Sequence, residues 1–423
     1  MSSLKYICFL GVLLAALPVP VHAQDVIAGS PYTPVFEIEP RGQGDLIESK
    51  FHVRQIYDTN LIASPTSQLD GTYSSLEADF SYVHQRAKSI LMLNYRGGGN
   101  LYPQSQYSNL NAGMNAVNLQ FRQNVTKRLN LKLTGDWGSI PGGAFEESLG
   151  GPPTLGSGDQ NTEFLARRHV TADGALSLQY QVSPHTYFAW GGDYDTVRYE
   201  PATISSSRSE DGYIAYYYQF THAQTVSFGF SNQWIDFPGT GIRSQVHNVL
   251  TTYSNTITPR LTLTGYVGPA FVDEVAGTGS TPFPGGNSNT NKVSLVGGAS
   301  TKWVAGHTNI VLRFDRMYSR GSGQVGTTLR QIGAISFSQN LTRHLVAGLS
   351  LNYTKNDLVS FAGESNSSYR AQPTLRYQMK SRLWLTASEG YVHAIGLVGT
   401  GTLNRSITTF GAEFDLPNWT LER

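Results

Sequence analysis

Leu129-Asn130-Leu131-Lys132-Leu133-Thr134 puts leucine at every odd position and a polar residue at every even one, and this period of two constrains the chain more than any other feature. Successive side chains of a strand point to opposite faces, so such a segment has one apolar and one polar face. Val226-Ser227-Phe228-Gly229-Phe230-Ser231, Leu261-Thr262-Leu263-Thr264 and Leu349-Ser350-Leu351-Asn352-Tyr353 repeat the arrangement. Val117, Leu119 and Phe121 interleave with Asn118, Gln120 and Arg122, and Leu375 and Tyr377 with Thr374, Arg376 and Gln378. Each run averages out, which is why the mean hydropathy of the chain is only −0.25 although one face of every strand is fit for lipid.

The breaks between runs are as regular as the runs. Short polar turns fall at Arg86 to Ser89, Thr126 to Arg128, Ser183 to Thr186, Thr221 to Thr225, Thr258 to Arg260, Ala305 to Thr308, Thr342 to His344 and Lys380 to Arg382. Most recur at about 37 to 40 residues, and the two longer intervals contain Gly/Pro-rich insertions, Gly138 to Thr162 and Ala276 to Asn291. Each period holds two strands and one longer polar connection. Eight short turns imply about nine hairpins and about 18 strands, an all-β, up-and-down antiparallel transmembrane barrel over residues 47–416. A β-propeller has a similar repeat length, but its blades hold four short strands, and two long strands with one polar face would give it little to bury.

The ends of the chain set the compartment. Lys5 closes a short polar start, Tyr6 to Leu17 is an apolar run, and Val21-His22-Ala23 offers small residues to a signal peptidase, so residues 1–23 are expected to be cleaved before Gln24. The run is too short for a spanning helix. Cys8, the only cysteine, lies inside that segment, which leaves no disulfide or thiolate chemistry for the remainder. Residues 24–46 show no sustained alternation and are expected to be a short periplasmic lead-in. Thr409-Phe410-Gly411-Ala412-Glu413-Phe414-Asp415-Leu416 fits the signal read by barrel assembly machinery, with residues 417–423 a C-terminal tail. The expected location is the outer membrane of a Gram-negative-type bacterium, with short turns facing the periplasm.

Charge and motifs exclude other classes. Lys+Arg 31 against Asp+Glu 30 gives no footprint for nucleic acid. No HExxH, GxSxG or phosphate-binding glycine loop is present, and His185, His222, His307 and His344 fall in predicted turns, so no catalytic group, cofactor or metal is expected.

Tyr57-Asp58-Thr59-Asn60-Leu61, followed by Phe80-Ser81-Tyr82 and Leu91-Met92-Leu93-Asn94-Tyr95, resembles the β-barrel porins associated with exopolysaccharide loci. The resemblance implies an outer-membrane channel or an accessory protein of polysaccharide export.

A barrel of about 18 strands is too wide for side chains to fill, so an aqueous lumen for small hydrophilic solutes is expected. The alternatives are an outer-membrane component of exopolysaccharide export and a closed barrel with a structural or enzymatic role. Partners are then outer-membrane lipid, the assembly machinery and a hydrophilic solute or polysaccharide. Candidate pore-lining residues are Glu146, Glu147 and Asp159 on the connection between strands five and six, facing Arg122, Lys132, Arg313 and Arg376 on the wall. Such opposed charges would impose a transverse field. Tyr95, Trp137, Tyr194, Trp234, Tyr318, Tyr353 and Tyr391 lie near strand ends and read as an interfacial girdle in preference to a sugar-stacking track.

Overall fold

The computed structural model describes residues 44–61, 69–104, 112–140, 168–200, 206–238, 240–275, 289–320, 326–359, 365–397 and 401–421. The alternating runs form β1 (Gly44–Asp58), β2 (Gly71–Gln85), β3 (Ser89–Leu101), β4 (Ala112–Asn124), β5 (Leu129–Ile140) and β6 (Arg168–Ser183). β7 (Thr186–Glu200), β8 (Ser207–Thr221), β9 (Gln224–Phe237), β10 (Ile242–Thr258), β11 (Leu261–Val275) and β12 (Asn289–Ala305) follow. β13 (Thr308–Arg320), β14 (Thr327–Asn340), β15 (Leu345–Leu358), β16 (Ser365–Lys380), β17 (Leu383–Leu397), β18 (Gly401–Asp415) and the short β19 (Trp419–Leu421) complete the chain.

Each long strand pairs antiparallel with its predecessor and its successor, and β18 returns to β1, with Phe51 opposite Phe414 and Ile56 opposite Thr409. The result is a closed 18-strand up-and-down barrel, whose closure leaves no free edge around the ring. β1 begins at Gly44, before residue 47, and within the stretch read as a tail β19 pairs with the start of β1, Trp419 opposite Ile47.

The eight connections expected as short turns lie at one end, where a local device explains their recurrence; at the other end the β9–β10 link, residues 238–241, is equally short and departs from the expected longer connection. A Ser or Thr at the first turn position accepts a backbone N–H two residues on: Thr126 from Arg128 (3.1 Å), Ser183 from His185 (3.2 Å), Thr221 from Ala223 (3.2 Å), Thr258 from Arg260 (3.2 Å) and Thr342 from His344 (3.1 Å). The hydroxyl substitutes for a backbone acceptor and fixes the reversal. Register shifts at Gln181/Ser183, Gln219/Thr221, Thr256/Thr258 and Gln378/Lys380 place a bulge just before four of these turns.

Alternation sorts the side chains. Val53, Leu76, Leu133, Phe228, Leu263 and Leu375 are exposed on the outer face, while His52, Asp79, Ser81, Asn94 and Asn118 are buried on the inner one. Trp137, Tyr194, Trp234 and Tyr391 stand on the outer face toward the loop end, exposed by 44 to 49%. They cannot form a track inside the barrel.

Tyr318 departs from this pattern. Counting on from the exposed Leu312 and Phe314 it should point outward, yet it is 6% exposed and its hydroxyl donates to the inner-face Ser294 at 2.8 Å. The cause lies in the pairing. β13 leaves β12 after Arg316 opposite Gly297 but stays on β14 to Arg320 opposite Thr327. Freed from β12, the end of β13 turns in over the lumen.

Candidate pore constriction

Two inward folds narrow the loop end of the barrel. The first sits at the closing seam, where Asp58 and Arg405, 347 residues apart in sequence, form a buried two-pronged pair with Nε and Nη2 to carboxylate distances of 3.1 and 2.5 Å. Asp58 also accepts the backbone N–H of Asn60 at 2.8 Å, and the Thr59 hydroxyl accepts the Ser406 N–H at 2.9 Å. This turns the chain inward, so Leu61 packs with Ile56, Tyr73, Tyr102 and Ile407. Tyr73 and Tyr102 stack at 4.7 Å. The Asp58-Thr59-Asn60 element is therefore a corner, with Asp58 and Asn60 both fully buried.

The second fold is larger. Ile235, Phe237, Ile242, Val246, Ala270 and Val272 form an apolar patch on the inner face of β9 to β11, covered with Val296 by Tyr318 and Val359 from the ends of β13 and β15. Burying these side chains inside an otherwise polar lumen supplies the driving force for the inward lean. Polar contacts fix it. Buried Glu274 accepts the Ser244 hydroxyl and the Thr327 N–H, each at 2.8 Å, and the Lys292 ammonium donates to the Val359 carbonyl. At the tip, Arg320 crosses the lumen to Asp195 on β7, six strands away around the wall.

Asp195 belongs to a carboxylate row. Register places Asp136, Asp173 and Asp195 directly opposite one another on β5, β6 and β7, with Asp193 opposite Asp211 one step nearer the turn end. All five lie on the inner face. Asn118 extends the row, donating to Asp136 at 2.6 Å and accepting from Asn94 at 3.0 Å. Like charges directly opposite are unfavourable by themselves. The Arg320 guanidinium offsets part of that repulsion.

The sequence-derived candidates fall as follows. Glu146, Glu147 and Asp159 lie outside the described residues. Arg122 and Lys132 are direct cross-strand neighbours at the turn end of β4 and β5, on the same side as the carboxylates. Arg313 pairs with Asp315, which also accepts the Tyr266 hydroxyl at 2.8 Å. Gly298 makes room for that cluster, since a Cβ there would lie 2.6 Å from both Asp315 and the Tyr266 ring. Arg376 donates to Glu413 at 2.8 Å and lies 4.8 Å over the Trp384 ring. Glu413 also meets Lys50 at 3.5 Å. The two wall arginines on β13 and β16 are thus neutralised locally. Arg330 and Arg370 also take inner-face positions, opposite Asn356 and Asn352, and the base that reaches the acids of β5 to β7 is Arg320 on the inward-leaning tip.

Sequence reasoning missed Asp136, Asp173, Asp193, Asp195, Asp211 and Arg320. Each acid sits at a polar position of an alternating run, and only the register between strands gathers them. Among the described residues no group of three or more His, Cys, Asp or Glu is disposed to hold a metal ion.

No family model matches the sequence, and no curated protein matches it. Solved structures similar to this chain include OccAB4 of Acinetobacter baumannii (11% identity over 88% of this chain and 98% of that one, TM-score 0.44). The outer-membrane protein OpdK of Pseudomonas aeruginosa matches at 13% identity over 88% and 99%, with TM-score 0.44. A BenF-like porin of Pseudomonas fluorescens Pf-5 matches at 11% over 88% and 99%, also at 0.44. What those proteins carry does not transfer to this chain at such similarity.

Proposed function

We propose that the chain is an outer-membrane channel for small hydrophilic solutes, narrowed at the loop end by the tips of β13 to β15. The observation that carries this reading is the closed ring of 18 strands with an apolar outer and a polar inner face. A ring of this size leaves an aqueous channel, and an apolar exterior is stable only in lipid. The carboxyl row on β5 to β8 gives the passage an acidic wall, and those of its groups that are ionised favour cations over anions. Liposome swelling with neutral sugars of increasing size tests the channel. Swelling that falls off with solute size supports it, and impermeability to the smallest solute refutes it.

The polysaccharide-export reading rests on the Asp58-Thr59-Asn60 element. That element closes the outer end of β1 on Arg405 and offers no exposed group to a polymer. Tyr95, Trp137, Tyr194, Trp234 and Tyr391 stand on the outer face, where lipid headgroups would meet them.

A further inference from the structure

Glu389 stands on the outer face of β17, among residues facing what the proposed function takes to be lipid. Its depth can be judged from its neighbours. On β5, β7, β15 and β17 the aromatic that marks the upper girdle is the ninth residue of the strand: Trp137, Tyr194, Tyr353 and Tyr391. Two residues inside the girdle the first three strands carry Gly135, Gly192 and Leu351, and β17 carries Glu389. An ionisable side chain at that depth is expensive in hydrocarbon and marks a functional position.

Glu389 is also not isolated. Its carboxylate accepts the hydroxyls of Ser406 and of Thr408, the latter at 2.5 Å, both on the outer face of β18. Across the closing seam Ser74 donates to Gln55 at 2.9 Å, again on the outer face and below the level of Tyr57. Gln55 is exposed, and Ser74, Ser406 and Thr408 are half-buried. Below them project Phe51, Val53, Leu76, Phe410 and Phe414, all exposed.

We propose that this face, across β17, β18, β1 and β2, is an interface with a second copy of this chain, an inference that rests on the barrel spanning a membrane. The bonds within the chain use one lone pair on each Glu389 oxygen and the Gln55 carbonyl, and hydrocarbon offers no partner to the carboxylate's remaining lone pairs or to the Gln55 amide N–H groups. A second copy does, because hydroxyl and amide groups both donate and accept, so the patch complements itself when two copies meet about an axis along the membrane normal. The projecting phenylalanines then interdigitate beneath a polar layer. A patch four strands wide suits another barrel wall better than a single helix.

Native mass spectrometry of the full protein from mild detergent, together with channel insertion by the same preparation, tests the proposal. Wild type should be oligomeric. Glu389→Leu and Thr408→Leu, which suit lipid better than the native residues, should each lower the oligomer fraction at least tenfold without abolishing conductance. With Cys8 replaced by serine, Thr72→Cys at the patch border should form a disulfide between copies in membranes, and Val249→Cys on the far side of the barrel should not. A monomeric wild type that still conducts overturns the interface and leaves the channel standing. Leucine variants that stay oligomeric, or a Thr72→Cys that links only to a different protein, overturn the assignment of the partner. A preparation that neither conducts nor requires detergent overturns the membrane reading itself.

Discussion

Arg320, at the tip of β13, is paired with Asp195 on β7, so a strand end on one side of the barrel touches the wall six strands away. This pair divides the loop-end opening. Removing the base with Arg320→Ala should widen the passage and leave the carboxylates of Asp136, Asp173, Asp193, Asp195 and Asp211 unopposed. Single-channel conductance and cation preference should then both rise. An unchanged conductance would mean that the tip of β13 does not sit in the solute path.

The Asp58–Arg405 pair should dominate the stability of the closing seam. Both side chains are buried, and stripping one partner from such a pair costs about 3–5 kcal/mol because the other charge is left uncompensated. Asp58→Ala should therefore lower the thermal midpoint in detergent far more than Asp70→Ala, whose carboxylate meets the exposed Tyr57 hydroxyl at 3.3 Å. Equal shifts would place the seam's stability elsewhere.

Strand parity predicts opposite tolerance at adjacent positions. Leu133 is 39% exposed on the outer face, and arginine there would cost about 2–4 kcal/mol near the midplane, whereas Thr134→Arg faces the lumen. Leu131→Arg and Lys132→Gln form a second such pair. Heat-modifiability on gels should show impaired assembly for the two leucine variants alone.

The eight short turns share one end of the barrel, which the proposed function places in the periplasm. A tag inserted beside Pro259 should be hidden from antibody on intact cells. One near Gly285, in the connection between β11 and β12, should be accessible, and the reverse pattern would invert the orientation.

The barrel was legible in the sequence because its signals are local. Leu129 to Thr134 alternates within six residues, and the turn at Thr126 to Arg128 is closed by a hydroxyl two positions away. The constriction was not legible because its contacts are long-range. Asp136, Asp173 and Asp195 become neighbours only through register, and Asp58 meets Arg405 across 347 residues. Tyr318 shows the limit of periodicity: its place in the alternation puts it in the outer girdle, but β13 loses β12 as a partner after Arg316 and the ring turns inward. Arg313 and Arg376 hold polar positions, yet Asp315 and Glu413 beside them remove their charge from the passage.

Planar-bilayer recording of the purified protein across a salt gradient tests the aqueous passage and its acidic wall most directly. Ohmic, long-lived current steps that reverse on the cation-selective side are expected at alkaline pH, where the acidic row is ionised, with the reversal potential moving toward zero in the combined Asp173→Asn, Asp193→Asn and Asp211→Asn variant. Absence of steps, or an anion-selective reversal unaffected by those substitutions, would contradict this expectation.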